Sequence, residues 1–211
     1  MIINAGSVSL INSASVSANL RCPGCGQLGT FEPVFTNSQD FVFGNNIRVG
    51  ERRCPNLGCR TLVFIFWQNN AILRTYPALR IDFDKAHVPP AVVSALEESI
   101  TCHANECFIA AAIMVRKTLD ELCRDRGAHG NNLKEQIRDL GTKIVLPKEL
   151  LDGLDDLRLL GNDAAHIDSR EYDQVGKDEV EVGIEFTKEV LKATYQYSAL
   201  LTKLRGLKKT S

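Results

Sequence analysis

Two short cysteine pairs, Cys22-Pro-Gly-Cys25 and Cys54-Pro-Asn-Leu-Gly-Cys59, constrain this chain more than any other feature. Close spacing lets one backbone turn aim two sulfurs at one point, and two such turns supply the four ligands of a tetrahedral metal ion. Pro23 and Gly24 lie within the first pair and Gly26 follows it, and Pro55 and Gly58 lie within the second. These are the residues that tight turns require. A closed four-sulfur shell leaves no open coordination position, so the pattern predicts a structural Zn²⁺ held by Cys22, Cys25, Cys54 and Cys59. The alternative is four chance thiols buried in a core. Their clustering inside a turn-rich segment argues against it.

Four stretches around the cysteines are rich in Val, Ile, Phe and Thr: residues 30–35, 47–53, 61–67 and 71–76. Asn45-Asn46 and Asn69-Asn70 separate them, which is a hairpin pattern. With the two knuckles this predicts a small β-rich zinc ribbon over residues 21–76. So short a segment buries too little apolar surface to be stable without a staple. Residues 1–20, rich in Ser, Asn and Ala, read as an arm or an added edge strand. They lack the charged and apolar blocks of a secretory signal. Prolines at 77, 89 and 90 bracket a linker over residues 77–90.

From Ala91 the periodicity becomes helical. Residues 91–126 suggest a shorter helix followed by a long one, and Leu133, Ile137 and Leu140 a short helix ended by Gly141. A helix opened by Pro147 and a last one over residues 177–204 complete a bundle spanning 91–205, with a basic tail at 206–211. The fold class expected is therefore α+β. No apolar run is long enough to span a bilayer. Four of seven cysteines in metal-like pairs suit a reducing cytoplasm better than a disulfide framework.

Charge is uneven. Residues 1–80 hold seven arginines, no lysine and three acids, whereas the remainder holds 18 basic and 23 acidic residues. The basic front end suits nucleic-acid contact through Arg48, Arg52, Arg53 and Arg60; a merely solvated basic face fits the counts equally well. No phosphate-binding loop or dinucleotide fingerprint is visible.

The second informative segment is Arg158-Leu-Leu-Gly-Asn-Asp-Ala-Ala-His166. On a continuous helix Arg158, Asn162 and His166 fall at i, i+4 and i+8 and form one polar stripe. A histidine titrating near neutrality, a permanent cation and an amide are sufficient for metal-independent phosphodiester chemistry on RNA, which supplies its own 2′-OH nucleophile. Plainer roles compete: an Arg158 ion pair with Asp155 or Asp156, a helix cap at Gly161-Asn162, and a helix-end His166. Arg116, with Asp120 one turn on, reads either as an intrahelical ion pair or as a cation directed toward His166.

The cysteine ribbon, the Tyr76-Pro77 linker, Arg116-Lys-Thr-Leu-Asp and the Gly161-Asn162…Ala165-His166 core together resemble a bacterial domain family of unknown function in the HEPN-like (higher eukaryotes and prokaryotes nucleotide-binding) superfamily. Its members occur alone and fused to restriction-type nucleases. The resemblance implies a helical-bundle homodimer, a setting in antiviral defence, and partners among RNA, DNA or a defence-system protein. In active members, paired Arg and His residues of two subunits form a composite ribonuclease site. Carried over, Asn162 and His166 match that motif, and the arginine position falls on Gly161, with Arg158 one turn earlier as the substitute. Two functions are therefore expected: a dimerising, zinc-bearing module that binds a nucleic acid, nucleotide or protein without catalysis, or a metal-independent endoribonuclease.

Overall fold

The computed structural model describes residues 6–12, 17–44, 46–165 and 175–207. The chain is α+β and divides into two compact units, Met1–Asp82 and Phe83–Ser211.

Among its described residues the first unit carries seven strands: β1 (Val8–Asn12), β2 (Ala18–Arg21), β3 (Leu28–Phe31), β4 (Gln39–Phe43), β5 (Ile47–Arg53), β6 (Leu62–Gln68) and β7 (Ala71–Tyr76). Five form one antiparallel sheet in the order β1-β4-β5-β6-β7, and β2 and β3 pair as a separate hairpin. Strand alternation decides what is buried. Arg48, Gly50 and Arg52 stand directly opposite Trp67, Ile65 and Val63, so all six share the inner face. Val63, Ile65 and Trp67 join Ala18, Leu20, Cys22, Phe31 and Cys54 in one core. The outer face carries exposed Leu10, Phe41, Phe64 and Tyr76.

An ion pair lies inside this unit. Arg52 and Asp40 are both fully buried, with Arg52 Nη1 and Nη2 donating to Asp40 Oδ1 and Oδ2 at 3.0 and 2.7 Å. Arg48 Nε donates to the same carboxylate at 3.0 Å, and both guanidiniums stack on Trp67 at 5.4 and 4.7 Å from the ring centre. Gly50 makes room for the pair, because a Cβ there would stand 1.9 Å from Asp40 Oδ1.

The second unit is helical: α1 (Pro90–Ala104), α2 (Phe108–Asp125), α3 (Leu133–Lys143), α4 (Lys148–Ala165), α5 (Lys177–Leu191), a π-helical turn (Lys192–Gln196) and α6 (Tyr197–Gly206). Pro90 suits a first helical turn, where its missing N–H is no loss. Asn132 caps α3 by accepting from the Glu135 amide at 3.0 Å. α2 is central and packs against α1, α3, α4 and α5. Its inward residues Ala111, Ala112, Val115, Leu119 and Leu122 are buried. Ser99 ties α1 to α2 through a 2.8 Å hydrogen bond to the Ala111 carbonyl. Gly141, expected to end α3, lies within it, and the helix runs on to Lys143.

Candidate metal centre and polar stripe

The two knuckles are built by backbone turns. Gly26 donates to the Cys22 carbonyl at 2.9 Å, with φ at +73°, a conformation glycine adopts without strain. Cys59 and Arg60 both donate to the Asn56 carbonyl, at 3.0 and 2.9 Å. β5 runs directly into Cys54, whose amide donates to the Thr61 carbonyl at 2.9 Å just before β6 starts. The hairpin thus delivers its two cysteines to the end of the core where Cys22 is buried.

The four sulfurs converge. Cys22 Sγ lies 3.7 Å from Cys59 Sγ, Cys25 Sγ lies 3.8 Å from Cys54 Sγ, and all four fall within 4.8 Å of one another. A tetrahedral ion with metal–sulfur bonds of ~2.3 Å requires sulfur–sulfur edges of ~3.8 Å. The donor set therefore fits a four-coordinate metal ion, and Cys22, Cys25, Cys54 and Cys59 are the residues that would hold it.

The surroundings favour anionic sulfur. The Gly24 amide points at Cys22 Sγ at 3.3 Å, and Asn56 Nδ2 at Cys25 Sγ at 3.8 Å. The Thr61 hydroxyl lies 2.9 Å from Cys59 Sγ, and its hydrogen bond holds that thiol down to about 6. Burial acts oppositely on Cys54 and pushes its thiol up to about 12. A buried thiolate is costly without a compensating charge, which a bound cation supplies. Gly24 allows close approach here: a Cβ would sit 2.1 Å from Thr61 Oγ1. Thr61 and Asn56 are supporting residues that spacing alone did not single out. Among the described residues, this is the one group of three or more His, Cys, Asp or Glu side chains close enough to share an ion.

The four arginines expected on a basic face separate. Arg52 is a correction: it is buried and engaged by Asp40, so it is part of the core. Arg48 is mostly buried and shares that carboxylate. Arg53 and Arg60 are exposed and line one groove of about 270 Å³ beside the second knuckle, with Thr30, Glu32, Pro55 and Leu57.

In the helical unit, α4 continues through Gly161 and Asn162 to Ala165, so no cap interrupts it there. Arg158 and Asn162 lie one turn apart on it; His166 lies outside the described residues. Arg158 Nε donates to Asp155 Oδ1 at 2.6 Å, and that guanidinium holds the Asp155 carboxyl below the usual carboxylate range. Arg116 reaches from α2 to α4, where its Nη1 donates to the Arg158 carbonyl at 3.3 Å. Gly161 faces the base of the same side chain. A Cβ at 161 would stand 2.5 Å from Arg116 Cβ and 3.1 Å from the Ala112 carbonyl oxygen. Any larger residue there must push α2 and α4 apart.

A β unit gathering four cysteines and a helical unit with Arg116, Arg158 and Asn162 at the α2–α4 contact define a two-part, metal-competent α+β protein. The chain belongs to the family described as domain of unknown function (DUF4145), whose model matches residues 97–210. The match covers α1 from Glu97 onward and leaves the cysteine-bearing unit outside it. No curated protein and no solved structure matches the chain. Among the described residues, no helix is long and apolar enough to cross a membrane.

Proposed function

We propose that this chain is a cytoplasmic, nucleic-acid-linked interaction module of a prokaryotic defence-type system. Its β unit is a ribbon stapled by structural zinc, and its helical unit is a HEPN-like bundle that self-associates without cleaving RNA. The observation that carries the non-catalytic part is the packing at Gly161. The resemblance puts the catalytic arginine of active members at this position, and here the space is filled by Arg116 and the Ala112 carbonyl. The substitute, Arg158, is engaged by Asp155. An arginine committed to a carboxylate is less available to stabilise charge developing on a phosphate.

The ribbon's contact with nucleic acid is assigned to the Arg53–Arg60 groove, since these two exposed guanidiniums share one concavity. The test is binding to labelled single- and double-stranded RNA and DNA over a salt series. Wild type should bind with affinity that falls as salt rises. Arg53→Glu with Arg60→Glu should weaken binding and flatten the salt slope by about two ion contacts. Equal binding by both proteins rejects the groove.

One observation favours the ribonuclease reading. Arg116 brings a second cation to α4 within one turn of Asn162. That reading requires RNA cleavage in magnesium-free buffer that is lost in His166→Ala. Cleavage equal in both proteins, or absent from both, removes it.

A further inference from the structure

α4 and α5 enclose a groove of about 470 Å³ on the helical unit. Its wall and floor are apolar: Leu157 and Leu160 from α4, Val182 and Phe186 from α5. Two glycines open it. A Cβ on Gly153 would lie 2.3 Å from the Phe186 ring, and one on Gly183 would lie 3.1 Å from Leu160 Cδ2. Glycine inside a helix costs about 1 kcal/mol relative to alanine, and the close α4–α5 approach is what these two permit. The apolar surface remains open to solvent, with Val182 67% exposed. One end of the groove is acidic, lined by Asp178 and Glu179 in the first turn of α5.

The same chain carries a helix of matching chemistry. No residue of α6 is buried. Tyr197, Leu200, Leu201 and Leu204 are nonetheless apolar, and all four are exposed, Leu200 and Leu204 by 60% and 61%. Spacings of three and four place them along one stripe. The last turn of α6 is basic, with Lys203 and Arg205. An exposed leucine stripe with cations at one end complements an open apolar groove with carboxylates at one end. A helix laid in a groove through i, i+3 and i+4 anchors is an established recognition mode.

We propose that α6 of one copy docks in the α4–α5 groove of a second copy. The leucines fill the space over Val182 and Phe186, and Lys203 and Arg205 approach Asp178 and Glu179. The inference rests on the self-association proposed above and names its surfaces. The geometry of the chain allows reciprocity. The π turn joins α5 to α6, and Val182 and Leu201 are roughly 29 Å apart along an ideal helix. In an antiparallel pair each copy's α6 lies beside the other's α5, so both contacts form together and the assembly closes.

The test is sedimentation equilibrium on the full metal-loaded chain and two surface variants. Leu200→Glu with Leu204→Glu alters only the helix stripe, and Val182→Glu alters only the groove. Each replaces exposed residues with a good helix former, and unchanged far-ultraviolet dichroism checks folding. Wild type should be dimeric, and each variant alone should dissociate about a hundredfold more readily. Mixing the two variants should recover heterodimer, because an intact groove then meets an intact helix. A dimer unaffected by either variant overturns this interface and leaves self-association standing. Dissociation of the Leu200/Leu204 variant alone points to a symmetric α6–α6 contact, and dissociation of both variants without rescue by mixing shows that helix and groove do not meet; either result also overturns it. A monomeric wild type overturns both the interface and the proposed self-association.

Discussion

Metal removal should unfold one unit and spare the other, and the chain carries its own reporter. Its single tryptophan, Trp67, is 5% exposed in the core of the β unit. Among the described residues that core comprises eight buried side chains, two of which are the candidate ligands Cys22 and Cys54. Two sulfur–sulfur edges, of 3.7 and 3.8 Å, match a tetrahedral four-thiolate site, and all four sulfurs lie within 4.8 Å of one another. Structural zinc in comparable small modules contributes roughly 10–16 kcal/mol of apparent binding free energy near neutral pH. Typical domain stability is about 5–15 kcal/mol, so loss of the ion is enough to abolish the fold of a unit this small. As isolated, the protein should contain one zinc per chain by elemental analysis. Excess chelator under reducing conditions should shift Trp67 emission to the red and quench it as the core opens. Helical dichroism, which comes from the second unit, should fall little. Cys59→Ser should reproduce the spectral change without chelator. The reasoning is refuted if the metal is stripped and the Trp67 spectrum stays as it was.

Three further outcomes follow from particular contacts. Gly50→Ala places a methyl 1.9 Å from Asp40 Oδ1; it should cost about 3–5 kcal/mol, the range for breaking a buried ion pair, read as loss of the native Trp67 signal at lower denaturant. Gly161→Ala should destabilise the helical unit by about 1–3 kcal/mol through overpacking against Arg116; Gly161→Arg should be worse and should not create ribonuclease activity, as denaturant titration and an RNA cleavage assay would show. Acid should weaken the helical unit. The His129 amide holds Asp139, and Arg158 holds Asp155, below the usual carboxylate range. A depressed folded-state pKa gives stability that is present above the unfolded value near ~4 and is lost as pH falls through the folded one. Thermal midpoints should therefore decline below pH 4 and vary little from these groups between pH 5 and 8, and Asp155→Asn should flatten part of that decline.

The hairpins were readable because branched and aromatic residues dominate them. β5 and β7 span 47–53 and 71–76, the stretches that sequence alone marks. β4, Gln39–Phe43, was not marked, and residues 1–20, which hold β1 and most of β2, read only as an arm or an added edge strand. Pairing with neighbours, which local propensity does not encode, recruits them. The cysteine cluster was legible because ligand spacing is a local property. Arg52 was not, because burial of an arginine depends on a carboxylate twelve residues away. A signal did exist: in the β5–β6 hairpin closed by the second cysteine knuckle, Arg52 falls opposite Val63, on the face of Ile65 and Trp67. Position 161 was legible as a departure from the active motif. Its cause, Arg116 crossing from α2, needed the helix packing.

The guanidinium–carboxylate contact at the heart of the β sheet also acts as a key for strand alignment. Were β5 to slide by one residue along its neighbour, Val49 and Glu51 would turn inward, and Arg52 would leave Asp40 without its counter-ion. Such a slide would displace Cys54, which follows two residues after Arg52, relative to Cys59 across the hairpin. The sulfurs would then no longer meet at bonding distance from a common centre. A charge pair that touches neither metal nor partner thus governs whether the chain can assemble a metal site at all.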